Sequence, residues 1–559
     1  MTALAEPPLR TLIDDLLDEQ QQLSAVERFA RKHDRHALPA QARYYRELIP
    51  LTKPQAGEQY AFAVDLDACT GCKACVSACH SLNGLEEDEI WRNVGLIHGG
   101  TIAEPYVQTV TTACHHCVEP ACLEGCPVRA YEKDAETGIV RHLDDQCIGC
   151  QYCVLKCPYD VPKYSKKKGI VRKCDMCYNR LAADEAPACV QACPTSAISI
   201  RIVTKAELTA SLAPGDRLLP GAFDSHYTKP TTAYATRRSM PSNARAGDEQ
   251  ALRLEHAHWP LIWMLVLTQV SAGMFFGAAL LAVVAPSIFG IGQAPLTVSA
   301  FAILNLGLAV SVLHLGRPLG AWRAFLGLRT SWMSREIFAF SAFAGAAGAF
   351  TGAALWPWMV SKLPWLGAIP AILHPVGFEA PLAIITAALA GLGVYCSAMI
   401  YIDTRRAFWG APLVFTKFFG TALLLGAAGC AAALGWQQAL TGAAVADAAR
   451  TFAIAATIIR TALFGWEAMN LHHGLADPKE PAHRSMLTIW KLCRPHLVAR
   501  AALFVSSTLF GVLAIMQGGL SAAIFATISF ALTFASQAIE RYFFFAAVVA
   551  PRMPGGVAA

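Results

Sequence analysis

The spacing of the cysteines is the strongest chemical signal in this sequence. Sixteen of the 19 cysteines lie between Cys69 and Cys193 and form four groups of four. The groups are Cys69, Cys72, Cys75 and Cys79; Cys114, Cys117, Cys122 and Cys126; Cys147, Cys150, Cys153 and Cys157; and Cys174, Cys177, Cys189 and Cys193. Groups one and three read C-x2-C-x2-C-x3-C, and the last three groups end in Cys-Pro. This spacing is typical of [4Fe–4S] clusters, in which the fourth cysteine of one group ligates the other cluster of a pair.

Two other structures use many cysteines, namely an extracellular disulfide scaffold and structural zinc sites. Four linked groups with Cys-Pro endings fit neither of them well, although the first group departs slightly, with His80 in the proline position. Small residues such as Gly71 and Gly149 let the backbone approach the inorganic sulfides of a cluster. We therefore interpret these cysteines as cluster ligands.

The composition changes sharply near residue 258. The chain before this point is polar and rich in cysteine, and the chain after it contains long apolar runs. A hydrophobic content of 54% with only 16% charged residues indicates a membrane protein joined to a soluble part. The net charge of +5 gives no indication of a nucleic-acid partner, because the cations cluster in loops that flank the apolar runs.

Eight apolar runs are long enough to span a membrane. We predict them at 259–285, 296–316, 336–355, 380–402, 411–435, 445–466, 497–517 and 520–540. Every second connection and the C-terminus are basic, through Arg317, Arg323, Arg329, Arg335, Arg405, Arg406, Lys417, Lys479, Arg484, Lys491, Arg494, Arg541 and Arg552. In the other connections only Lys362 stands out. The positive-inside rule places the basic loops, and the cysteine domain before the first span, in the cytoplasm.

The predicted fold class is an α+β ferredoxin-like four-cluster iron–sulfur domain followed by an all-α polytopic membrane domain. We assign an N-terminal helical extension to 1–56, the iron–sulfur domain to 57–203, a connector to 204–258 and the membrane anchor to 259–545. Period-two alternation predicts a strand at 60–65. No apolar stretch opens the chain, so we expect no secretory signal. We interpret Arg237-Arg238 as cytoplasmic positive charge and not as a twin-arginine signal.

Both halves of the chain resemble subunits of one enzyme family. Residues 64–75, 147–153 and 173–180 resemble the iron–sulfur subunit of dimethyl sulfoxide reductase-type molybdoenzymes, over about 57–203. The anchor subunit of the same enzymes is similar to residues 255–545, through the segments 255–261, 314–318 and 331–337. The resemblance thus implies that the two smaller subunits are joined in a single chain.

The resemblance also implies how the cysteines are shared among the clusters. Each cluster takes three ligands from one group and one from another: Cys69, Cys72, Cys75 and Cys193; Cys174, Cys177, Cys189 and Cys79; Cys114, Cys117, Cys122 and Cys157; Cys147, Cys150, Cys153 and Cys126. Some relatives replace one ligand and carry a three-iron cluster. All sixteen positions are cysteine in this chain, so we expect four [4Fe–4S] clusters.

Ionisable residues at membrane depth are costly and usually functional. His314 falls at the predicted cytoplasmic end of the second span, and an imidazole suits the proton exchange that accompanies quinone chemistry. The resemblance likewise places a quinone-contacting histidine at this His-Leu-Gly position, and a structural cap is the alternative. Glu336 is a candidate proton relay and Arg317 a weaker candidate contact, whereas we interpret Arg335 as a topology determinant.

Several other charged or histidine residues have less specific interpretations. Tyr401, Asp403 and Glu540 are weak candidates, and ion pairs with Arg405, Arg406 or Arg541 would explain the two acids. A haem b anchor needs histidines paired within the spans. Apart from His314, the histidines of this half fall at span ends or in loops: His256, His258, His374, His472, His473, His483 and His496.

A basic cluster in the cysteine domain has three possible interpretations. It is either a docking face, a set of groups that tune cluster potentials, or a solvated loop: Lys163, Lys166, Lys167, Lys168 and Lys173.

The resemblance implies electron transfer between quinone, either menaquinone or ubiquinone, and a catalytic subunit. That subunit, which would carry the molybdopterin, must be another polypeptide because this chain has no domain of suitable size. We expect a bacterial inner-membrane location with the iron–sulfur domain in the cytoplasm, and menaquinol oxidation in anaerobic respiration. Sulfite oxidation with electrons delivered to quinone, and a polysulfide reductase-like module, are the alternatives.

Overall fold

The computed structural model describes residues 11–21, 45–363, 365–366 and 377–555. Of the predicted N-terminal extension it describes helix α1 (Leu12–Gln21) and a short 3-10 helix (Arg46–Leu48). The remainder of that prediction, residues 1–10 and 22–44, lies outside the described residues, as does His374. The described chain has an α+β cysteine-rich part followed by a helical part, which confirms the predicted fold class.

The cysteine-rich part is built on two three-stranded sheets and two hairpins. Its strands are β1 (Glu58–Asp65), β2 (Asn93–Gly100), β3 (Pro105–Thr112), β4 (Tyr131–Lys133), β5 (Val140–His142), β6 (Lys163–Ser165), β7 (Ile170–Arg172), β8 (Ile198–Thr204), β9 (Ala233–Ala235) and β10 (Arg245–Ala246). One sheet has the order β8-β1-β9, the other has β10-β2-β3, and β4-β5 and β6-β7 form the hairpins. The strand predicted before the first cysteine is β1.

Short helices alternate with these strands and carry several of the cysteines. They are α2 (Ala74–Leu82), α3 (Ala121–Glu124), α4 (Tyr152–Lys156), α5 (Tyr178–Ala182), α6 (Ala188–Gln191) and α7 (Lys205–Ser211). The core of this part joins apolar residues of β1 and β8, where Phe62 lies opposite Ile200 and both are buried. Because β1 leads into the first cysteine group and β8 follows the last, this core lies directly beside the cysteines.

The stretch predicted as a connector takes part in the sheets. Strand β9 pairs in parallel with β1, and β10 pairs antiparallel with β2. Both strands are only two or three residues long, so they carry no readable periodicity in the sequence. Residues 233–246 are therefore packed into the cysteine-rich part.

Eight described helices are long and apolar enough to cross a membrane, as predicted. They are α8 (Trp259–Val284), α9 (Pro286–Val312), α10 (Trp332–Lys362), α11 (Glu379–Ile402), α12 (Ala411–Thr441), α13 (Ala446–Ala476), α15 (Arg494–Met516) and α16 (Gly519–Ala546). Helix α9 begins well before the predicted residue 296 because it continues through an internal proline, Pro295. The other differences are at the ends, where α10 and α13 extend several residues beyond the apolar run.

A short amphipathic helix, α14 (His483–Leu492), was not predicted. It buries Met486 and Ile489 against the bundle and leaves Trp490 exposed. This helix packs beside α13 and α15 at the end of the bundle that meets the cysteine-rich part, where Arg484 donates to the carbonyl of Ala251 at 3.2 Å.

The basic connections all lie at one end of the bundle, next to the cysteine-rich part. Arg317 follows α9, Arg406 follows α11, and both donate hydrogen bonds to backbone carbonyls of that part. Arg552 of the C-terminal segment pairs with Asp248 at 2.7 Å. The cations thus share one end of the bundle, as the topology prediction requires. That this end faces the cytoplasm stays a prediction.

Helices α8 and α12 form the centre of the bundle and cross at glycines. A Cβ atom added to Gly273 of α8 would overlap the carbonyl oxygen of Ala422 and lie 2.8 Å from the Cα atom of Gly426. Small residues of this kind allow two helix backbones to approach closely in lipid. In α10, by contrast, a Cβ atom on Gly345 would meet no atom within 4 Å.

We expect Gly273→Ala to destabilise the protein by about 1–3 kcal/mol, because the added methyl group meets backbone and not a movable side chain. Gly345→Ala is the matched control and should leave stability unchanged or raise it slightly. Thermal unfolding of both variants in the same detergent measures the difference. Equal midpoints for Gly273→Ala and the unsubstituted protein would contradict the tight crossing of α8 and α12.

Candidate functional site

The pairing of β1 with β8 brings the first and last cysteine groups together. Cys69 lies just after the end of β1, and Cys193 lies just before β8 begins. Because the two strands are antiparallel neighbours, the end of β1 lies beside the start of β8, so these two cysteines fall at the same end of the sheet. Cys69, Cys72, Cys75 and Cys193 line one common cavity.

The β4-β5 hairpin acts in the same way on the two inner groups. Cys126 precedes β4 and Cys147 follows β5, so the β4-β5 hairpin sets them side by side. Cys126 lies within electrostatic range of Cys147, Cys150 and Cys153. The hairpin thus assembles Cys126 with the first three cysteines of the third group.

The β6-β7 hairpin lies between Cys157 and Cys174 in the chain and so brings one cysteine from each of the remaining two sets near the other. Four of the cysteines line a second cavity: Cys114, Cys117, Cys122 and Cys157. Cys79 is close enough to Cys177 and Cys189 for electrostatic interaction, and Cys174 is close to Cys79. The structure therefore brings together the four crossed sets that the resemblance implies, and their role as ligands stays a prediction.

The backbone around the cysteines has a recurring left-handed geometry. Gly71 and Gly149 have φ values of +73° and +71°, and Lys73 and Gln151 have φ values of 61° and 59°. This geometry curls the chain so that N–H groups turn towards sulfur. The donor–sulfur pairs lie 3.2–3.5 Å apart: His116 with Cys114, Ala130 with Cys126, Gly149 with Cys147, Met176 with Cys174 and Ala197 with Cys193.

Most of the sixteen thiols lie where burial disfavours a free thiolate. Burial raises the pKa of Cys79 to about 12 and the pKa values of Cys126 and Cys157 to about 11. A positively charged iron–sulfur core would offset this cost, since thiolates are its ligands. Among the described residues no three His, Cys, Asp or Glu side chains are placed to hold a single metal ion. The donor set, the N–H···S contacts and the left-handed loops fit [4Fe–4S] clusters.

Two cations are buried among the cysteine sets. Lys173 is only 3% exposed; its Nζ donates to the carbonyls of Cys174, at 2.8 Å, and Val140, and lies 3.7 Å from Cys114 Sγ. Burial opposes its charge, but the negative charge that nearby cysteines carry as thiolates, Cys114 first among them, raises the pKa of Lys173 above its ordinary value. This lysine is therefore neither on a docking face nor in a solvated loop.

The other members of the predicted basic cluster lie near the surface. Lys166, Lys167 and Lys168 are exposed, and Lys163 pairs with Asp160 at 2.8 Å. The second buried cation, Arg92, was missed because nothing in its sequence context marks it. It donates to Thr111 Oγ1 at 3.2 Å, and that oxygen lies 3.5 Å from Cys75 Sγ.

The set of Cys126, Cys147, Cys150 and Cys153 lies against the membrane part. A Cβ atom on Gly149 would lie 3.0 Å from the Cα atom of Gly316, in the connection between α9 and α10. The N–H of Arg317 donates to the carbonyl of Ile148 at 3.0 Å, and Ser331 Oγ donates to the carbonyl of Gly125 at 2.7 Å. This cysteine set is thus in backbone contact with the loop that carries the predicted quinone residues.

A second contact joins α4 to the connection after α11. Lys156 Nζ pairs with Asp403 Oδ2 at 2.7 Å, and the Tyr152 hydroxyl lies 3.4 Å from the same oxygen. The predicted pairing of Asp403 with Arg405 or Arg406 is therefore wrong. Arg406 instead donates to backbone carbonyls of α4. Sequence proximity misled the prediction because the true partner, Lys156, is 247 residues away.

Glu540 also has an ion-pair partner that was not predicted. It binds Lys417 at 2.5 Å in addition to the expected Arg541, at 3.5 Å. Lys417 was predicted to be a loop cation, but it is a buried residue in the second turn of α12. The topology prediction still stands on the other cations of that connection, Arg405 and Arg406.

His314 lies just beyond the end of α9 and is partly buried. Its Nδ1 is hydrogen-bonded to the carbonyl of Ser311, so Nδ1 carries the proton. The opposite nitrogen, Nε2, is buried and has no hydrogen-bond partner among the described residues. Burial lowers the pKa of His314, so the imidazole is neutral near pH 7 and Nε2 is a free acceptor.

Glu336 lies at the start of the second turn of α10 and is only 5% exposed. It interacts electrostatically with Tyr152, between Cys150 and Cys153, and with Tyr401. The Arg317 side chain points away from the membrane and donates to the carbonyl of Asp144 at 2.8 Å. Arg335 donates to the carbonyls of Leu328 and Arg329 and so closes the loop before α10.

The membrane part also contains an apolar cavity of about 240 Å³, which none of the predicted quinone residues lines. It lies among α12, α13, α14 and α15, and it is bordered by Phe408 and Lys417. The candidate histidine and this cavity are thus distinct features at the same end of the bundle.

Comparison with known proteins matches both parts of the chain. The 4Fe–4S dicluster domain family matches residues 106–202, and the DMSO reductase anchor subunit family matches residues 254–547. A subunit of the anaerobic dimethyl sulfoxide reductase of Haemophilus influenzae is 37% identical over 170 residues, which are 28% of this chain and 82% of the relative. Its counterpart from Escherichia coli (strain K12) is 36% identical over 184 residues, 31% of this chain and 86% of the relative.

The formate dehydrogenase-O iron–sulfur subunit of Escherichia coli (strain K12) is also similar, with 34% identity over 158 residues, 25% of this chain and 52% of the relative. The anchor family covers more than half of the chain, and the two dimethyl sulfoxide reductase relatives are covered over most of their length. The chain therefore belongs to the DMSO reductase anchor subunit family and is an iron–sulfur electron-transfer subunit fused to the membrane anchor of a dimethyl sulfoxide reductase-type enzyme.

Proposed function

We propose that this chain carries electrons between membrane quinone and a separate molybdopterin-containing catalytic subunit through four [4Fe–4S] clusters. The observation that carries the proposal is spatial: the four cysteine sets neighbour one another in a line. The last set of this line is in backbone contact with the loop that carries His314. Clusters bound at these sets supply one-electron transfer. The relatives named as subunits of anaerobic dimethyl sulfoxide reductase support a partner of this kind.

The order of the four sets follows from shared elements. Cys75 and Cys79 lie on the same helix, α2, and belong to the first and second sets. Cys174 of the second set interacts with Cys114 of the third. Cys153 and Cys157, at either end of α4, belong to the fourth and third sets. Each set therefore neighbours the next, and the set containing Cys69 lies farthest from the membrane part.

At the membrane end, two side chains suit proton transfer to and from a quinone. Oxidation of a quinol releases two protons with its two electrons, and each hydroxyl needs an acceptor. His314 offers a neutral, unpartnered Nε2. Glu336, buried in α10 and within electrostatic range of Tyr152, is a second acceptor near the same cysteine set. Arg317 does not contact the quinone in this proposal; it positions the His314 loop on the iron–sulfur domain.

We place the iron–sulfur domain on the cytoplasmic side of a bacterial inner membrane, since the basic connections lie at its end of the bundle. We favour oxidation of menaquinol, with electrons passing to the catalytic subunit, because the two dimethyl sulfoxide reductase relatives are named as reductase subunits. The reverse direction, in which sulfite oxidation feeds quinone, uses the same residues. Measuring which half-reaction the purified complex catalyses with a quinone analogue decides between them.

We expect the cysteine substitutions to group by crossed sets. Cys193→Ser should alter the same paramagnetic resonance signal as Cys69→Ser, whereas Cys189→Ser should alter the same signal as Cys79→Ser, because the members of each pair belong to one crossed set and not to one sequence group. Cys396→Ser, within α11, is the control. It should leave all paramagnetic resonance signals unchanged and retain about sixteen irons per chain. If Cys193→Ser and Cys189→Ser changed one signal alike, the crossed ligation would be wrong.

We expect His314→Ala to slow reduction of the clusters by quinol at least about 100-fold, since a positioned acid–base group is lost. Iron content and cluster signals should stay unchanged, because His314 touches no cysteine set. His473→Ala, an exposed histidine at the same end of the bundle, is the matched control. Stopped-flow absorbance after mixing with a menaquinol analogue gives the rate. Normal kinetics in His314→Ala would remove this residue from the mechanism.

We expect Gly316→Ala to slow electron transfer from quinol while leaving cluster assembly intact. Its added methyl group would overlap the backbone of Gly169, so the loop of His314 must move away from the cysteine set. Gly465→Ala, where a Cβ atom meets nothing within 4 Å, serves as the control. The same stopped-flow measurement tests this, and an unchanged rate in Gly316→Ala would show that the close approach has no functional role.

A further inference from the structure

The apolar cavity of about 240 Å³ has a shape and position that the quinone proposal does not use. Its walls come from α12, α13, α14 and α15, at the end of the bundle next to the iron–sulfur domain. Ala468 of α13 and Ala501 of α15 line the cavity and are also exposed. The cavity therefore opens sideways, between α13 and α15, towards the surface that faces lipid.

Most of the lining is apolar, through side chains such as Leu413, Phe464, Leu471, Ile489 and Leu497. The stacked rings of Phe464 and Phe504, 4.1 Å apart, lie between this region and the deeper part of the bundle. A chamber of this kind, closed at depth and open to the side, suits a hydrocarbon chain that enters from the bilayer.

The polar lining of the cavity is charged, and the surrounding charges do not balance. Within the described helices α12, α13, α15 and α16, three buried cations surround the buried carboxylate of Glu540 and the partly buried carboxylate of Glu467. The three cations are Lys417, Arg500 and Arg541. Uncompensated charge in a low-dielectric medium is costly. The excess of positive charge therefore favours an anionic ligand.

Arg500 is the cation best placed to bind that ligand. It lines the cavity, is only 7% exposed, and donates from Nη2 to Glu467. Its Nε is buried and has no acceptor among the described residues. A guanidinium has five donors in a planar fork that matches the oxygens of a phosphate group. The ion pair with Glu467 thus leaves the Nε–H of Arg500 without an acceptor, and a phosphate oxygen would supply one.

We propose that this cavity binds one anionic phospholipid, with an acyl chain in the apolar chamber and the phosphate at the unpartnered Nε–H of Arg500. The excess positive charge favours a lipid of net negative charge over a zwitterionic lipid or a neutral quinone. A bound lipid fills the gap between α13 and α15 beside Phe408, which lies two residues from the Arg406 contact with α4. This assignment does not rest on the proposed quinone chemistry.

The test uses the complete purified complex after removal of lipid by detergent exchange. Phosphatidylglycerol, phosphatidylethanolamine, inorganic phosphate and a menaquinone analogue are added separately, and native mass spectrometry counts the bound molecules. We expect one phosphatidylglycerol per chain. The double variant Arg500→Gln with Glu467→Gln, which leaves no carboxylate unpaired, should weaken this binding at least about tenfold.

A second pair of variants tests the chamber without changing any charge. Ala501→Phe fills the cavity and should abolish retention of the lipid, whereas Ala502→Phe, on an exposed neighbour that does not line it, should retain the lipid. Equal binding of phosphatidylethanolamine would overturn the proposal. So would phosphate binding without a chain, displacement of phosphatidylglycerol by the quinone analogue, or an equal effect of the two alanine variants.

Discussion

The four-cysteine sets can form only if distant parts of the chain meet, and antiparallel strand pairing meets this requirement. The pairing of β1 with β8 spans most of the iron–sulfur domain and joins its first and last cysteine groups. The β4-β5 hairpin does the same for the two inner groups, and the β6-β7 hairpin places the third group beside the fourth. Because each set draws its fourth cysteine from another group, the sets are also tied to one another in a line.

The end of that line is held to the membrane part by contacts that leave no room for side chains. Gly149 and Gly316 approach through their backbones, and Gly327 lies against the carbonyl of Cys126. The ion pair of Lys156 with Asp403 adds a polar clamp on the other side of α4. Fusion of the two subunits into one chain suits this arrangement, since the connecting segment itself supplies β9 and β10 to the sheets.

Charge is distributed differently in the two halves of the anchor. The half of the anchor that contacts the last cysteine set contains one neutral histidine, His314, and one buried carboxyl group, Glu336. Both groups suit proton exchange. The other half holds a network of buried cations around Glu540 and Glu467, next to an apolar cavity. The proposed site of proton exchange and the proposed anion site are therefore separate, although they lie at the same end of the bundle.

Local sequence patterns were sufficient to predict the iron–sulfur character of the first part, the eight spans and the end of the bundle that carries the cations. Cysteine spacing and the length of apolar runs are local properties, so both can be read without a fold. The folded arrangement was needed to show that Lys156 pairs with Asp403, that Lys173 and Arg92 are buried among the cysteines, and that Lys417 lies inside α12. These contacts join residues far apart in the chain, and a local pattern holds no information about which distant partner shields a charge.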